Sequence, residues 1–447
     1  MPRRPWSLVP VSVALALILV GVAGAGTWLV AGLGSSEPAP LPAAVAQAAA
    51  SAPLPTVRAT ASPARPGLDR PPALAGRAAG PPARRATPEL VARLDQLLES
   101  LRVEHALPGV SATIIFADGS RWTATGGMAD VKSGTPVQDE TAFALASITK
   151  TFTAALVLDL AAERRLSLEE SAAGRLPELG IDPRIKVRQL LDHTSGLHDY
   201  FLNPTIEKAL RADPAAAWSA RRALGFMSKP YFPPGRGWHY SNSNYLVLGL
   251  IAEEVTGRPL STEIRRRYLD PLGLTTAFYQ GAEEPRGPIA HAYRFLDGAA
   301  DARPIDLSDG TGVVPFRAVV SASAGAGALA ASSPDVARWA RALYRGQATR
   351  PESLSLMLGG VMGTEGPRIA IPYGLGVQAI ALDGFPTYGH AGRFIGSRGV
   401  MRWLPSRDVT VVVLTNQSRI DPGVVAEGLL AVAVPKPDLC GSCPMAS

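Results

Sequence analysis

A helical pattern followed by strands begins near residue 87, and strands followed by a helical pattern end near residue 433. This pairing constrains the chain more than any other feature. Thr87-Pro88-Glu89-Leu90 sets an N-cap residue before proline at the first helical position, and Leu90, Leu94, Leu97, Leu98 and Leu101 follow at helical spacing. Strand-like runs over 109–116 and 121–125 are joined at Asp118-Gly119, a hairpin signal. Near the other end, runs over 398–403 and 409–414 flank the turn Pro405-Ser406-Arg407-Asp408, and a helix is predicted over 422–433. Between them residues 149–164 read as a largely buried helix, and short helices and loops rich in Pro and Gly run on to about residue 300. The economical fold is of the α/β (α+β) class. One antiparallel sheet built from both ends of the chain is flanked by helices, with a mostly helical lobe beside it and a cleft between. The predicted domain spans 87–435, with the sheet-bearing part from 87–145 and 300–435 and the helical lobe from 146–299.

The residues before this domain have another character. Arg3 and Arg4 precede an uncharged, largely apolar run over 7–33. A cleaved signal peptide carries an apolar region of about 7–15 residues, whereas this run is long enough to cross a hydrocarbon core of about 30 Å. The flanking arginines keep the N-terminus in the cytoplasm. Residues 1–33 are therefore expected to be a single-pass signal-anchor in the cytoplasmic membrane, with the main domain outside. The alternative is cleavage near Ala23-Gly24-Ala25, which would leave a secreted or periplasmic protein. Residues 34–86 are rich in Pro and Ala and poor in large apolar side chains, so they read as a disordered tether. Its arginines, at 58, 65, 70, 77, 84 and 85, either meet anionic lipid or wall polymer or serve solubility alone. The tail, 436–447, holds the two cysteines of the chain, Cys440 and Cys443, as a small disulfide or free thiols. The formal charge of +6 comes with no basic run interleaved with aromatics, which argues against a nucleic-acid partner.

Three segments carry chemistry. In Ser147-Ile148-Thr149-Lys150, residues three apart share a helical face, so Lys150 can reach the Ser147 hydroxyl and take its proton. That requires a lowered lysine pKa, and Ile148, Phe152, Ala154 and Ala155 provide apolar surroundings. In Tyr240-Ser241-Asn242, a tyrosine beside a cationic lysine is expected to have a lowered pKa and act as a second proton shuttle. Asn242 can hold both the lysine and a substrate carbonyl. The competing reading makes Ser241 or Asn242 a simple cap for the apolar helix over 246–255. In Tyr388-Gly389-His390-Ala391-Gly392-Arg393, period-two alternation sets His390 and Gly392 on one face, with Ala391 and Arg393 on the other. His193 and His198 are too far apart for the i, i+4 pair of a helical zinc site, so no metal and no cofactor is implied.

In this order the three segments resemble the penicillin-recognising serine enzymes, the serine β-lactamase and D-alanyl-D-alanine carboxypeptidase superfamily. The tyrosine in the second segment is similar to the class C β-lactamases and the related carboxypeptidases and esterases. Leu191-Asp192-His193-Thr194-Ser195-Gly196-Leu197, Phe232-Pro233-Pro234-Gly235 and Gly325-Ala326-Gly327-Ala328-Leu329 add to the likeness, which covers roughly 90–433. The resemblance implies an acyl-enzyme on Ser147, a proton shared by Lys150 and Tyr240, and Asn242 orienting lysine and substrate. It further implies an oxyanion hole from the backbone N–H groups of Ser147 and Arg393, and His390 where many relatives have a lysine near the substrate carboxylate. A histidine there titrates near neutrality, and Ala391 lacks the threonine hydroxyl of relatives with lysine-threonine-glycine. Both changes weaken a grip on a β-lactam or a terminal carboxylate. The expected function is that of an exported serine hydrolase, most similar to a D-alanyl-D-alanine carboxypeptidase-like peptidase or amidase acting on a cell-wall D-alanyl peptide. The alternatives are an esterase on the same scaffold, a weak β-lactamase, or an acylable sensor without turnover.

Overall fold

Seven strands form one antiparallel sheet in a computed structural model that describes residues 85–295, 304–308, 311–359 and 372–434. In chain order the strands are β1 (Gly109–Ile115), β2 (Arg121–Asp130), β3 (Thr135–Pro136), β4 (Phe143–Ala144), β5 (Phe278–Tyr279), β6 (Tyr293–Arg294), β7 (Ile305–Asp306), β8 (Leu329–Ala331), β9 (Gln378–Leu382), β10 (Phe385–Phe394), β11 (Ser397–Leu404) and β12 (Val409–Thr415). The large sheet runs β3-β2-β1-β12-β11-β10-β9, so the first strands pair directly with the last. Val110 stands opposite Thr415 across the join. The expected antiparallel sheet with flanking helices is therefore present. The second hairpin strand runs five residues further than its pattern suggested, to Asp130.

Alternation assigns each strand side chain to one of two cores. In β12, Val411 and Val413 join the core on one face, while Val412 and Leu414 join the core on the other. Both faces are covered, which is why this strand reads as an unbroken apolar run. The first core is closed by Leu90, Leu94 and Leu98 of the helix Pro88–Glu104 and by Val425, Leu429 and Leu430 of the helix Pro422–Ala433. The Thr87 hydroxyl caps the first of these helices by accepting the Leu90 N–H at 3.3 Å. On the opposite face the helix Ser333–Tyr344 packs on β1, β11 and β12. Its Ser333 hydroxyl lies 2.7 Å from those of Ser111 and Thr113, so the inward polar residues of β1 are satisfied by the helix that covers them.

The helix Thr149–Ala162 is buried from Thr149 to Leu160 on every side. A helix apolar all round belongs at a centre rather than a surface. The helices Asn242–Thr256 and Pro351–Gly359 pack against it, and Phe152 stacks on Trp339 at 3.8 Å between ring centroids. The 3₁₀ turn that leads into this central helix, Ala146–Ile148, lies against β10, where the sheet meets the helices.

The apolar run over 7–33, the tether except residues 85 and 86, and Cys440 and Cys443 lie outside the described residues. Among the described residues no helix is long and apolar enough to cross a membrane.

Candidate active site

Ser147 sits in a single 3₁₀ turn, Ala146–Ile148, that feeds the central helix. Ala146 before it has φ of 45°, a left-handed conformation that costs a residue with a Cβ roughly 1–3 kcal/mol. The turn is held from both sides. Leu145 donates its N–H to Leu329 O at 2.9 Å, and Leu329 N–H donates to the Thr149 hydroxyl at 3.1 Å. From the sheet, Gly392 of β10 presses on the turn. A Cβ on Gly392 would lie 2.0 Å from Leu145 O and 3.3 Å from Ser147 N. Both are backbone atoms that cannot swing aside, so glycine is required there.

Lys150 lies one turn further on, fully buried. Its Nζ is 3.0 Å from Ser147 Oγ, 2.8 Å from Asn242 Oδ1 and 2.8 Å from Ala326 O. Burial pulls its pKa down from 10.5 to about 7, against the opposing charge of Asp199. The arrangement suits the neutral amine. Two N–H groups satisfy the Asn242 and Ala326 oxygens, and the one lone pair is left to accept the Ser147 hydroxyl proton. Tyr240 donates its hydroxyl to Ser147 Oγ at 2.9 Å, and Lys150 Nζ stands 5.1 Å from the centroid of its ring. The expected lowering of the tyrosine pKa is not found. Burial pushes Tyr240 above its ordinary value, with the Ser147 hydrogen bond pulling the other way and the Asp199 charge adding to the rise. Tyr240 is thus a protonated phenol in the resting site, and the group poised to accept a proton is Lys150.

Asn242 opens the helix Asn242–Thr256, but the capping role weighed for it and for Ser241 is not taken up. Ser241 stands at the cap position without a side-chain capping bond, and the Asn242 amide joins Lys150 to Asp199. The loop around His193 places these residues. Gly235 N–H donates to Thr194 O at 2.8 Å, Tyr231 N–H to Gly196 O at 2.9 Å and His239 N–H to His193 O at 3.1 Å. His193 is buried against Tyr240, 4.4 Å between ring centroids, and its Nδ1 accepts from Ser241 N–H at 3.2 Å and Asn244 Nδ2 at 3.0 Å. Burial and the Lys150 charge hold it neutral, well below its usual range.

His390 departs from the expectation of a side chain titrating near neutrality beside a substrate carboxylate. It is 1% exposed. Its Nδ1 lies 2.6 Å from Ala391 O, which can only accept, so Nδ1 carries the proton. Its Nε2 then accepts from the Tyr373 hydroxyl at 2.9 Å. Burial, reinforced by the Lys150 charge, keeps its pKa well below the normal histidine value. Both nitrogens are engaged within the protein, so His390 is a neutral part of the wall. Arg393, half-buried, has its guanidinium near Arg398 and Asp421, and burial lowers its pKa. As alternation predicted, its side chain turns away from the Gly392 face.

Sequence reasoning passed over Asp199, Tyr373 and the Ala326 carbonyl. For Ala326 a signal existed, since it lies in the Gly325–Leu329 segment noted above; Thr153 fixes that segment by donating its hydroxyl to Gly325 O at 2.8 Å. Asp199 carried no such signal, because a carboxylate in a loop reads as solvent-exposed. Among the described residues, one set of side chains, Asp130, His291 and Asp306, could hold a metal ion, with its ligand atoms within 4.8 Å of one another. None of the three touches Ser147, Lys150 or Tyr240 through a hydrogen bond, and His291 Nδ1 is already 2.7 Å from Asp306 Oδ2.

A serine hydroxyl between an amine with lowered pKa and a phenol is an arrangement for forming and breaking an acyl-serine bond. Comparison with known proteins points the same way. Residues 94–434 match the Beta-lactamase family. Esterase EstB of Burkholderia gladioli is 31% identical over 234 residues, 49% of this chain and 58% of that protein, so the match spans less than two thirds of the esterase. Penicillin-binding protein 4 of Amycolatopsis lactamdurans is 28% identical over 342 residues, covering 73% of this chain and 85% of that one. The crystal structure of a D-stereospecific amidohydrolase from a Streptomyces species aligns with a TM-score of 0.65 at 27% identity, covering 78% of this chain and 99% of the other. The chain belongs to the Beta-lactamase family and is a serine hydrolase.

Proposed function

We propose that this hydrolase cleaves amides and peptides of D-amino acids through an acyl-enzyme on Ser147. The observation that carries the reading is the hydrogen-bond set on Ser147 Oγ, with Lys150 Nζ at 3.0 Å and the Tyr240 hydroxyl at 2.9 Å. Neutral Lys150 takes the Ser147 proton as Oγ bonds to the substrate carbonyl carbon. The carbonyl electron pair moves to its oxygen, next to the N–H groups of Ser147 and Arg393. As the tetrahedral centre collapses, the C–N bond breaks and the Tyr240 phenol gives its proton to the departing amine, then regains one from the Lys150 ammonium. Water repeats the sequence in reverse to release the acid. The resemblance to a D-stereospecific amidohydrolase and to a penicillin-binding protein supports the D-configured amide. A neutral, internally bonded His390 favours a substrate that needs no terminal carboxylate, hence an amidase or aminopeptidase-like activity over a D-alanyl-D-alanine carboxypeptidase.

A panel of D-amino-acid amides, a D-alanyl-D-alanine peptide, a short-chain ester and a penicillin, each followed by intact-protein mass spectrometry and peptide mapping, tests this. The expected result is transient acylation of the peptide containing Ser147, with fastest turnover on D-amino-acid amides. Preference for the ester would instead support the esterase reading suggested by the likeness to EstB. A long-lived adduct with penicillin alone would support a sensor. We also propose that the catalytic body lies outside the cytoplasm, as the apolar run over 7–33 behind Arg3 and Arg4 suggests. Protease added to intact spheroplasts is expected to digest it, and full protection would rule export out.

A further inference from the structure

The Asn242 side chain can serve Lys150 in only one orientation. Its amide has an acceptor oxygen at one end and a donor NH₂ at the other. Here Oδ1 accepts from Lys150 Nζ at 2.8 Å, and Nδ2 donates to Asp199 Oδ2 at 2.9 Å. Turned over, Nδ2 would face Lys150 and compete with the Ser147 hydroxyl for the single lone pair of the neutral amine. The far partner prevents this, because an ionised carboxylate only accepts. Asp199 itself has no freedom to turn. Its Oδ1 accepts the Phe201 N–H at 3.1 Å, and its own backbone N–H donates to the Tyr231 hydroxyl at 3.2 Å. It is 4% exposed, and the cation whose charge reaches it is Lys150, with Asn242 between the two. A buried carboxylate without a direct ion-pair partner is costly to the fold. Its retention at this point therefore calls for a use.

We propose that Asp199 is a positioning residue of the reaction: an acceptor-only anchor that locks the Asn242 amide with its oxygen on Lys150 and so reserves the lysine lone pair for Ser147. This rests on the reading of Lys150 as the base. The groups facing Lys150 are Ser147, Asn242, the Ala326 carbonyl and the rings of Tyr240 and Tyr245, with His193 and His390 held neutral nearby. Those facing Asp199 are Asn242, the Phe201 N–H, and the Tyr200, Tyr231 and Tyr240 phenols. Asp199 is the carboxylate whose charge bears on Lys150, and it holds the lysine pKa higher than burial alone would.

Asp199→Asn keeps the size of the side chain but presents NH₂ to one of its two donors. Hydrolysis of p-nitrophenyl butyrate by the full chain, followed from pH 5 to 9, reads the consequence. The expected result is a fall in kcat of about 10²-fold with KM changed by less than about threefold, and an acid limb of kcat/KM displaced to lower pH. The exchange variant Asp199→Asn/Asn242→Asp restores a one-way bond, amide behind and carboxylate in front. It is expected to recover at least about tenfold of the lost kcat, with its acid limb above that of the wild type. Loss of packing alone would lower thermal stability without moving the limb, and the exchange would not correct it. An Asp199→Asn enzyme with unaltered kcat and an unmoved limb overturns the proposal, as does a folded exchange variant no better than the single one. Ser147→Ala in the same assay separates the two levels. If it still turns over the ester, the reading of Ser147 fails; if it is inactive while Asp199→Asn behaves as wild type, only the positioning role fails.

Discussion

Ser147→Ala, Lys150→Met and the double variant are expected to lose nearly the same activity, about 10³–10⁴-fold or more in kcat, rather than losses that multiply. The reason is geometric. Ser147 Oγ becomes a nucleophile only by passing its proton to Lys150, 3.0 Å away, and Lys150 has no other proton to take from the described residues around it. Its remaining neighbours at hydrogen-bond distance, Asn242 Oδ1 and Ala326 O, are acceptors. Without the lysine the hydroxyl is an ordinary alcohol, and without the hydroxyl the lysine has nothing to activate, so the second deletion removes what the first already removed. Methionine fills much of the lysine volume but leaves Asn242 Oδ1 and Ala326 O without a donor, at roughly 1–3 kcal/mol each. Circular dichroism and a melting curve must accordingly accompany the kinetics. Single-turnover cleavage of an activated ester by each of the three folded variants, read as product released, is the measurement. A double variant slower than either single by a further factor of ten or more would show that serine and lysine act separately.

The frame of the molecule was legible in the sequence because it is written in local patterns. A capped helix at Thr87, alternation in the strands and a turn at 405–408 are decided within a few residues, and both ends of the sheet follow from them. The site was legible only as far as its motifs reached. Ser147, Lys150, Tyr240 and Asn242 do meet, within 2.8–3.0 Å of one another in successive pairs. What spacing could not supply was the state of those groups. Tyr240 was expected to be acidified by a neighbouring cation, yet burial removes water from the phenolate and also leaves the lysine only about half charged at pH 7, so the sign reverses. The same holds for His390, whose partner Tyr373 lies across a stretch of chain that no local pattern connects to it. Asp199 was invisible for a related reason. Its value lies in what is stacked in front of it, Asn242 and then Lys150, a line of contacts between three separate segments. Gly392 is the converse case: a motif residue whose physical reason, contact with Leu145 O and Ser147 N, appears only when the strand and the turn are brought together.

The pH dependence of both activity and stability follows from the same burial, and its signs can be worked out group by group. The active form needs Lys150 neutral, Asp199 ionised and Tyr240 protonated. With Lys150 at about 7 and Asp199 at about 6, kcat/KM is expected to rise about tenfold per pH unit between 6 and 7, more steeply below 6 where both groups must lose a proton, and to level off above 7. The limb belongs to the coupled pair rather than to the lysine alone. Because Tyr240 is pushed above its usual value, activity stays level past pH 10 as far as this residue decides it. A phenolate base would give the opposite, a rise only in strong alkali. For stability, Lys150 is charged in the unfolded chain up to about 10.5 but neutral in the fold above about 7, so between these values the unfolded state binds more protons and the fold gains stability as pH rises. Asp199 works in reverse. From 3.8 to about 6 the folded state holds the proton, and stability from this group falls as pH rises. Other groups titrate too, so the clean measurement is the difference in unfolding free energy between wild type and Lys150→Met from pH 6 to 10. The missing hydrogen bonds of the variant enter as an offset over pH 7–10, where Asp199 is ionised, and the slope there isolates the lysine. The wild type should gain on the variant by a few kcal/mol across that range. A difference independent of pH would mean that the buried lysine keeps its ordinary charge, and Lys150 could not then be the resting base.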